Sequence, residues 1–250
     1  MLRAIPVSNF GRSFSGSTKF FRPQKSGFVL LIIMFLLLLA ASSAGYIYWT
    51  GIKSYERLDA AVQTGYAAIE KDQADAAIAS FRKAVQEDGI PLQFFRKIKT
   101  YRATETISPM DVRQALASTL IMKAYTGMME LKPASTETTE AVAVAALVPA
   151  PEGDELRKIA QTARDVSELC DKFQKKQFEP LMKSLLQVEK RAARTDQDFV
   201  LMEIRLMIAV GKALQEQLIL TRARELLYFL SFEAGIKNSR TDRLWKLLNQ

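Results

Sequence analysis

Between Phe28 and Thr50 the chain reads FVLLIIMFLLLLAASSAGYIYWT, 23 residues without a charge. A helix of roughly 20 apolar residues crosses a hydrocarbon core about 30 Å thick. The stretch is therefore expected to span a membrane and to touch lipid through residues 28–50. It divides the chain into a short N-terminal tail and a large C-terminal region. Lys25 is the nearest charge before it and Lys53 the nearest after. Tyr46, Tyr48 and Trp49 stand at its far end, where amphipathic aromatic rings anchor a spanning helix at the membrane interface. Phe28 to Ala40 followed by Ser42, Ser43 and Ala44 also fits a cleavable signal. The long lead before it and the apolar run through Trp49 favour an uncleaved signal anchor.

The tail, residues 1–27, holds Arg3, Arg12, Lys19, Arg22 and Lys25, and the first acid of the chain is Glu56. It thus carries +5 of the net +8. Positive charge beside a span is retained on the side of synthesis, so the tail is expected in the cytoplasm and the C-terminal region beyond the bilayer. The expectation is a single-pass protein of a bacterial inner membrane with a periplasmic domain. Arg- and Ser-rich, acid-poor tails also mark mitochondrial presequences; that alternative places the domain in the intermembrane space. Pro6, Gly11, Gly16 and Pro23 interrupt the amphipathic helix it would need.

With the tail set aside, the 35 basic residues fall to 30 against 27 acidic ones. Such a balance lacks the clustered basic footprint of nucleic-acid binding, and no nucleic-acid partner is expected. The chain has no histidine, which removes the commonest general base and metal ligand. Cys170 is the single cysteine, so no internal disulfide and no cysteine pair for a metal exists. The glycines are isolated, without a phosphate-binding loop, a nucleophile elbow or a calcium loop. No catalytic residue, cofactor, metal or small-molecule substrate is expected. The alternative of a different class is a glycan-cleaving envelope enzyme working through carboxylates. Asp165 and Glu168 share a helix face, but surface acids at that spacing are ordinary.

Beyond the span the apolar residues recur at helical spacing. Leu58, Ala61, Val62, Gly65 and Tyr66 mark one helix from Tyr55 onwards, and Asp72 to Asp75 interrupt it. Ala77, Ile78, Phe81 and Ala84 mark a second, which Gly89 and Pro91 stop. This hairpin, VQTGYAAIEKDQADAAIASFRKAVQEDGIP over 62–91, resembles a tetratricopeptide repeat, with Gly65, Ala77, Phe81 and Ala84 at the spacings of that pattern. Ala61 and Ala68 depart from it where bulkier residues are usual. The resemblance implies close helix approach at Gly65 and Ala77, with Phe81 filling the gap to the next hairpin.

A further helix is expected from Pro91 to Thr104, carrying Arg96, Lys97, Lys99 and Arg102 on a solvated face. Another opens at Ser108-Pro109-Met110-Asp111, with Ser108 as N-cap, and runs to about Leu131. Residues 51–131 thus form the first helical region. Residues 132–154, rich in Pro, Thr and Ala, read as a flexible linker. The second region, 155–250, has stripes at Leu156 to Cys170 and Phe178 to Val188, and a helix opened by Asp196. Gly211, Ala223, Leu227 and Leu230 repeat the spacing of Gly65, Ala77, Phe81 and Ala84. Leu244 to Leu248 then form a capping helix. Cys170 and most of the methionines fall on apolar stripes and read as core. Tyr66, Tyr101, Tyr125 and Tyr228 are candidates for a concave groove, and core packing explains them equally well.

The expected fold is all-α: a transmembrane helix followed by stacked antiparallel hairpins in the manner of an α-solenoid. Such stacks offer extended surfaces to other proteins. The expected role is a scaffold that binds proteins of a membrane-associated complex.

Overall fold

The computed structural model describes residues 25–93, 109–192 and 196–250. Every regular element among them is helical. In chain order these are α1 (Lys25–Glu70), α2 (Ala74–Gln86), α3 (Pro109–Met128), α4 (Ser135–Ala145), α5 (Glu152–Gln174), α6 (Phe178–Arg191), α7 (Gln197–Leu214), α8 (Gln217–Tyr228) and α9 (Ser239–Asn249). A π-turn, Phe229–Glu233, follows α8, and residues 90–93 are also helical. The tail before Lys25 lies outside the described residues, as do the remainder of the basic helix with Tyr101 and the Ser108 cap. The chain forms two compact units, Met1–Tyr46 and Ile47–Gln250.

In the first unit, the apolar side chains from Val29 to Leu39 are all exposed. α1 is long and apolar enough to cross a membrane. Ser42 and Ser43, within its apolar stretch, are compatible with that setting. The Ser42 hydroxyl donates to the Leu39 carbonyl at 3.0 Å and that of Ser43 to the Ala40 carbonyl at 2.9 Å, so neither is left as an unpaired donor in apolar surroundings.

The part of α1 in the second unit buries Gly51, Ser54, Leu58, Ala61, Val62, Gly65 and Ala68. These positions follow the three- and four-residue spacing of one helix face. The helix expected to begin near Tyr55 is thus the C-terminal part of α1, and the helical backbone passes through Gly51 without a break.

Within the second unit, α2 packs on α3, α3 on α4, α4 on α5, α5 on α6 and α7 on α8; α3 also meets α5, α5 meets α7, and α9 closes on α7 and α8. Four helix ends share one construction. Asp72, Leu131, Lys176 and Gln215, just after α1, α3, α5 and α7, all take positive φ between 57° and 60°. In each case the next amide reaches back five residues: Gln73 to the Ala68 carbonyl at 2.9 Å, Lys132 to Gly127 at 3.4 Å, Gln177 to Lys172 at 2.9 Å and Glu216 to Gly211 at 2.9 Å. This left-handed cap satisfies carbonyls that a helix end leaves without partners. None of the four is glycine, the residue that marks such a cap in sequence.

The segment 132–154, expected to be a flexible linker, contains α4, which buries Thr138, Ala141 and Ala145 between α3 and α5. Its flanks are tied down as well. The Ala134 amide donates to Ser167 Oγ at 2.8 Å, Gln174 Nε2 donates to the Leu131 carbonyl at 2.9 Å, and Arg157 Nη1 donates to the Val148 carbonyl at 2.8 Å. At Gly153 a Cβ would lie 2.0 Å from the Val148 carbonyl oxygen, so the chain re-enters α5 through a gap that only glycine fits. Thr138 is fully buried because its hydroxyl donates to the Ala134 carbonyl at 2.9 Å.

The shared cap sets up a direct test. Lys176 is exposed with φ 57°, a conformation that costs an L-residue more than it costs glycine. Lys176→Gly is expected to raise stability by about 0.5–1 kcal/mol. Lys175→Gly, one residue earlier with φ −79°, is expected to lower it by a similar amount. Urea unfolding midpoints followed by circular dichroism measure both; equal effects of the two would exclude this role for the cap.

Candidate functional site

The eight residues expected to pack the hairpins, Gly65, Ala77, Phe81, Ala84, Gly211, Ala223, Leu227 and Leu230, are all buried. Their contacts differ between the two sets. A Cβ on Gly65 would lie 2.6 Å from the Phe81 ring, so the ring of α2 sits directly on the backbone of α1. Tyr66 adds an edge-on contact to the same ring, centroids 5.3 Å apart. A Cβ on Gly211 would instead meet Leu220 at 2.9 Å and Ile219 at 3.4 Å, in the first turn of α8. The reason lies in the helix ends. Gly65 stands five residues before the end of α1 and Gly211 three before the end of α7, so Gly211 faces residues nearer the turn than the shared spacing implies.

Of the aromatics at the end of the apolar stretch, Trp49 is exposed and Lys53 lies over its ring, 5.3 Å from the centroid. Tyr46 is exposed too. Tyr48 is half-buried and packs against the hydrophobic core. Among the groove candidates Tyr125 is 1% exposed and belongs to the core, whereas Tyr66 and Tyr228 are about half exposed. Cys170 is fully buried, and burial pushes its thiol up to about 12; such a thiol is an inert packing residue.

Two open hollows carry the polar groups. The first, about 630 Å³, is lined by Asp72, Asp75, Met122, Lys123, Thr126 and Arg240 among others. Lys123 Nζ sits between Asp75 at 2.8 Å and Glu137 at 2.9 Å, and its hydrogen bonds to Asp75 and then Glu137 raise its pKa. Arg82 Nε donates to Glu140 Oε1 at 2.7 Å beside it. These pairs join α2, α3 and α4 at their exposed edges. Each contributes little to stability alone, because exposed ion pairs are worth about 0–1 kcal/mol.

The second hollow, about 550 Å³, is lined by Glu155, Lys158, Thr162, Arg191, Asp196 and Asp198 among others. Arg240 Nη1 reaches Asp198 at 2.6 Å, and Arg191 Nη2 reaches Asp165 at 3.0 Å. Asp165 and Glu168 do not converge on a shared site: Asp165 is bound to Arg191, and Glu168 lies 3.9 Å from Arg164. Asp196 is the N-cap of α7 and accepts from the Phe199 amide at 3.1 Å, as its place before the helix leads one to expect. Burial raises its pKa, with the Asp198 charge adding to the rise and the Phe199 amide opposing it.

A third surface was not visible in the sequence. A hollow of about 680 Å³ between α6 and α8 is floored by Phe178, Met182, Leu214 and Ile219. It adjoins one of about 400 Å³ that shares Met182 and Ile219 and extends to Leu218, Arg222 and Glu225. Leu218 is 80% exposed and Leu214 46%. Among the described residues no group of acidic, cysteine or histidine side chains is placed to hold a metal. Within the first hollow Lys123 pairs with Asp75, while in the second Arg191 and Asp198 pair with residues outside its lining.

The raised pKa of Asp196 gives a signed expectation. A folded-state pKa above the ordinary 3.8 means that the carboxyl favours folding when protonated, and this contribution is lost as pH rises through the folded value. Asp196→Asn keeps the cap without the charge. It is expected to match or exceed the parent in stability at pH 7, with the difference vanishing below the ordinary Asp range. Asp196→Ala, which removes the cap, is expected to lose about 1 kcal/mol at either pH. Thermal unfolding at pH 3.5 and pH 7 checks both.

No protein-family model matches the chain, and neither a curated protein nor a solved structure is similar to it.

Proposed function

We propose that this protein is a membrane-anchored scaffold for protein–protein interaction, built as an α-solenoid of tetratricopeptide-like hairpins. The observation that carries this reading is the dual character of α1. Its apolar side chains from Val29 to Leu39 are exposed, while Gly51 to Ala68 contribute a buried stripe to the helical unit. In this reading one helix supplies both the anchor and the first member of the stack.

The hairpins are α1–α2, α3–α4, α5–α6 and α7–α8, each turning on the same left-handed cap, with α9 over the last. The alternate contacts of α3 with α5 and α5 with α7 fit a layer of first helices, as in a solenoid. Stacked hairpins bury what single hairpins cannot, and the stack exposes an extended face. Open hollows with paired charges suit recognition of a folded or extended protein partner. The basic, acid-free tail favours retention in the cytoplasm, which puts the helical unit in the periplasm of a bacterial envelope, where its partners belong to an envelope assembly.

Photo-crosslinking residues in place of Thr126 and Lys158, one for each polar hollow, test this in intact membranes with the full chain. The expected outcome is a discrete set of captured proteins that is the same for both positions and absent when the residue replaces the buried Leu120. Capture of lipid alone from both hollows would contradict the scaffold. Protease added outside the inner membrane is expected to digest the C-terminal unit and spare the tail; the reverse would overturn the orientation.

A further inference from the structure

α8 buries Ala223 and Leu227 and turns an opposite face outward. That face holds Leu218, Arg222 and Glu225, and Phe229, the first residue of the π-turn, continues it; all four are exposed. At about 100° per residue, their directions fall within an arc of about 60°, a single narrow stripe running down roughly three turns. The stripe is apolar at both ends, 80% exposed at Leu218 and 55% at Phe229, with one cation and one anion between.

The order matters more than the composition. If a second α8 is laid antiparallel on this stripe, the register that sets Leu218 against the partner's Phe229 also sets Arg222 against the partner's Glu225. A two-fold axis between Arg222 and Glu225 generates both pairs twice. An isologous interface requires this self-complementarity, in which residue i meets j and j meets i. A parallel pairing in register would set Arg222 against Arg222 and Glu225 against Glu225. The stripe therefore discriminates between the two orientations by charge.

The surroundings fit a second copy as well. The hollow of about 400 Å³ beside Leu218 is lined also by Met182, Ile219 and Arg222, a mostly apolar recess into which an incoming phenylalanine ring can pack. Arg222 Nη2 already contacts both carboxylate oxygens of Glu189 on α6 at 3.0 Å. That bond holds the guanidinium in place, which lowers the ordering cost of a second contact.

We infer that α8 is a homodimerisation helix, pairing antiparallel with α8 of a second copy through Leu218–Phe229 and Arg222–Glu225 contacts. The inference does not rest on the scaffold reading, since a dimer of this kind forms whatever the polar hollows bind.

The test uses the full chain in its membrane, as two co-expressed populations with different tags. One carries Leu218→Cys and the other Phe229→Cys; Cys170, fully buried, stays in place. Mild oxidation is expected to link the two populations, with little disulfide in either population alone, because like positions lie about 16 Å apart along the antiparallel pair. Leu186→Cys paired with Phe229→Cys, off the stripe, is expected to give only background. Adding Glu225→Lys to both chains is expected to cut the cross-linked fraction about tenfold, since it replaces two attractive pairs with two repulsive ones. Efficient linkage of Leu218→Cys chains to one another would mean a parallel pair and would overturn the inference. So would the absence of any linkage, linkage to an unrelated protein instead of a second copy, or a yield indifferent to Glu225→Lys.

Discussion

The contact between the Phe81 ring and the backbone of Gly65 is what the rest of the helical unit depends on. It brings α2 onto α1 at a distance no larger residue at 65 would allow, since a Cβ there would fall 2.6 Å from the ring. Phe81 is fully buried, so the ring cannot swing into solvent to make room. Through this contact the long N-terminal helix is engaged as a packed member of the core. α3 then adds to α2, α4 to α3 and α5 to α4, each burying the face its predecessor leaves open. Stability is then shared among successive helix–helix contacts, the first of which includes the C-terminal part of α1.

Much of the helical unit was legible because its large apolar residues repeat at helical spacing. The stripes around Leu58, Phe81, Leu156 and Leu185 all became buried faces, and Asp196 announced α7 as its N-cap. α4 was not legible, for a physical reason. Its buried residues are Thr138, Ala141 and Ala145, small side chains that carry a weak periodic signal, and it is bounded by prolines that read as linker. What makes it a helix is tertiary: the space between α3 and α5 and the hydroxyl of Thr138 turned onto its own backbone. The continuity of α1 through Gly51 was hidden too, because glycine is the poorest helix former after proline. The buried stripe on either side overrides that local preference.

The candidate surfaces were less legible than the core. The four left-handed caps fall on Asp72, Leu131, Lys176 and Gln215, residue types that do not advertise positive φ. The common turn that organises the hairpins could therefore not be found by looking for glycine. Equal spacing around Gly65 and Gly211 suggested equal packing, yet Gly211 meets Leu220 where Gly65 meets Phe81, since helix length beyond each glycine sets which turn it faces. Exposure is also invisible in a periodic pattern. Leu218 and Phe229 read as ordinary helical apolar residues, and only the packing of α7, α8 and α9 shows that they face away from the core.

These features converge on α1, whose buried stripe from Gly51 to Ala68 makes that part of it a packed member of the helical unit. Hydrogen–deuterium exchange on the full chain in lipid nanodiscs examines this most directly, by following the amides of residues 47–70. Slow exchange without interruption across Gly51 to Ala68, matching the protection of α2 and α3, is the expected result. A window of fast exchange between Thr50 and Leu58 would mean that this part of α1 is not packed into the helical unit, and would contradict the account.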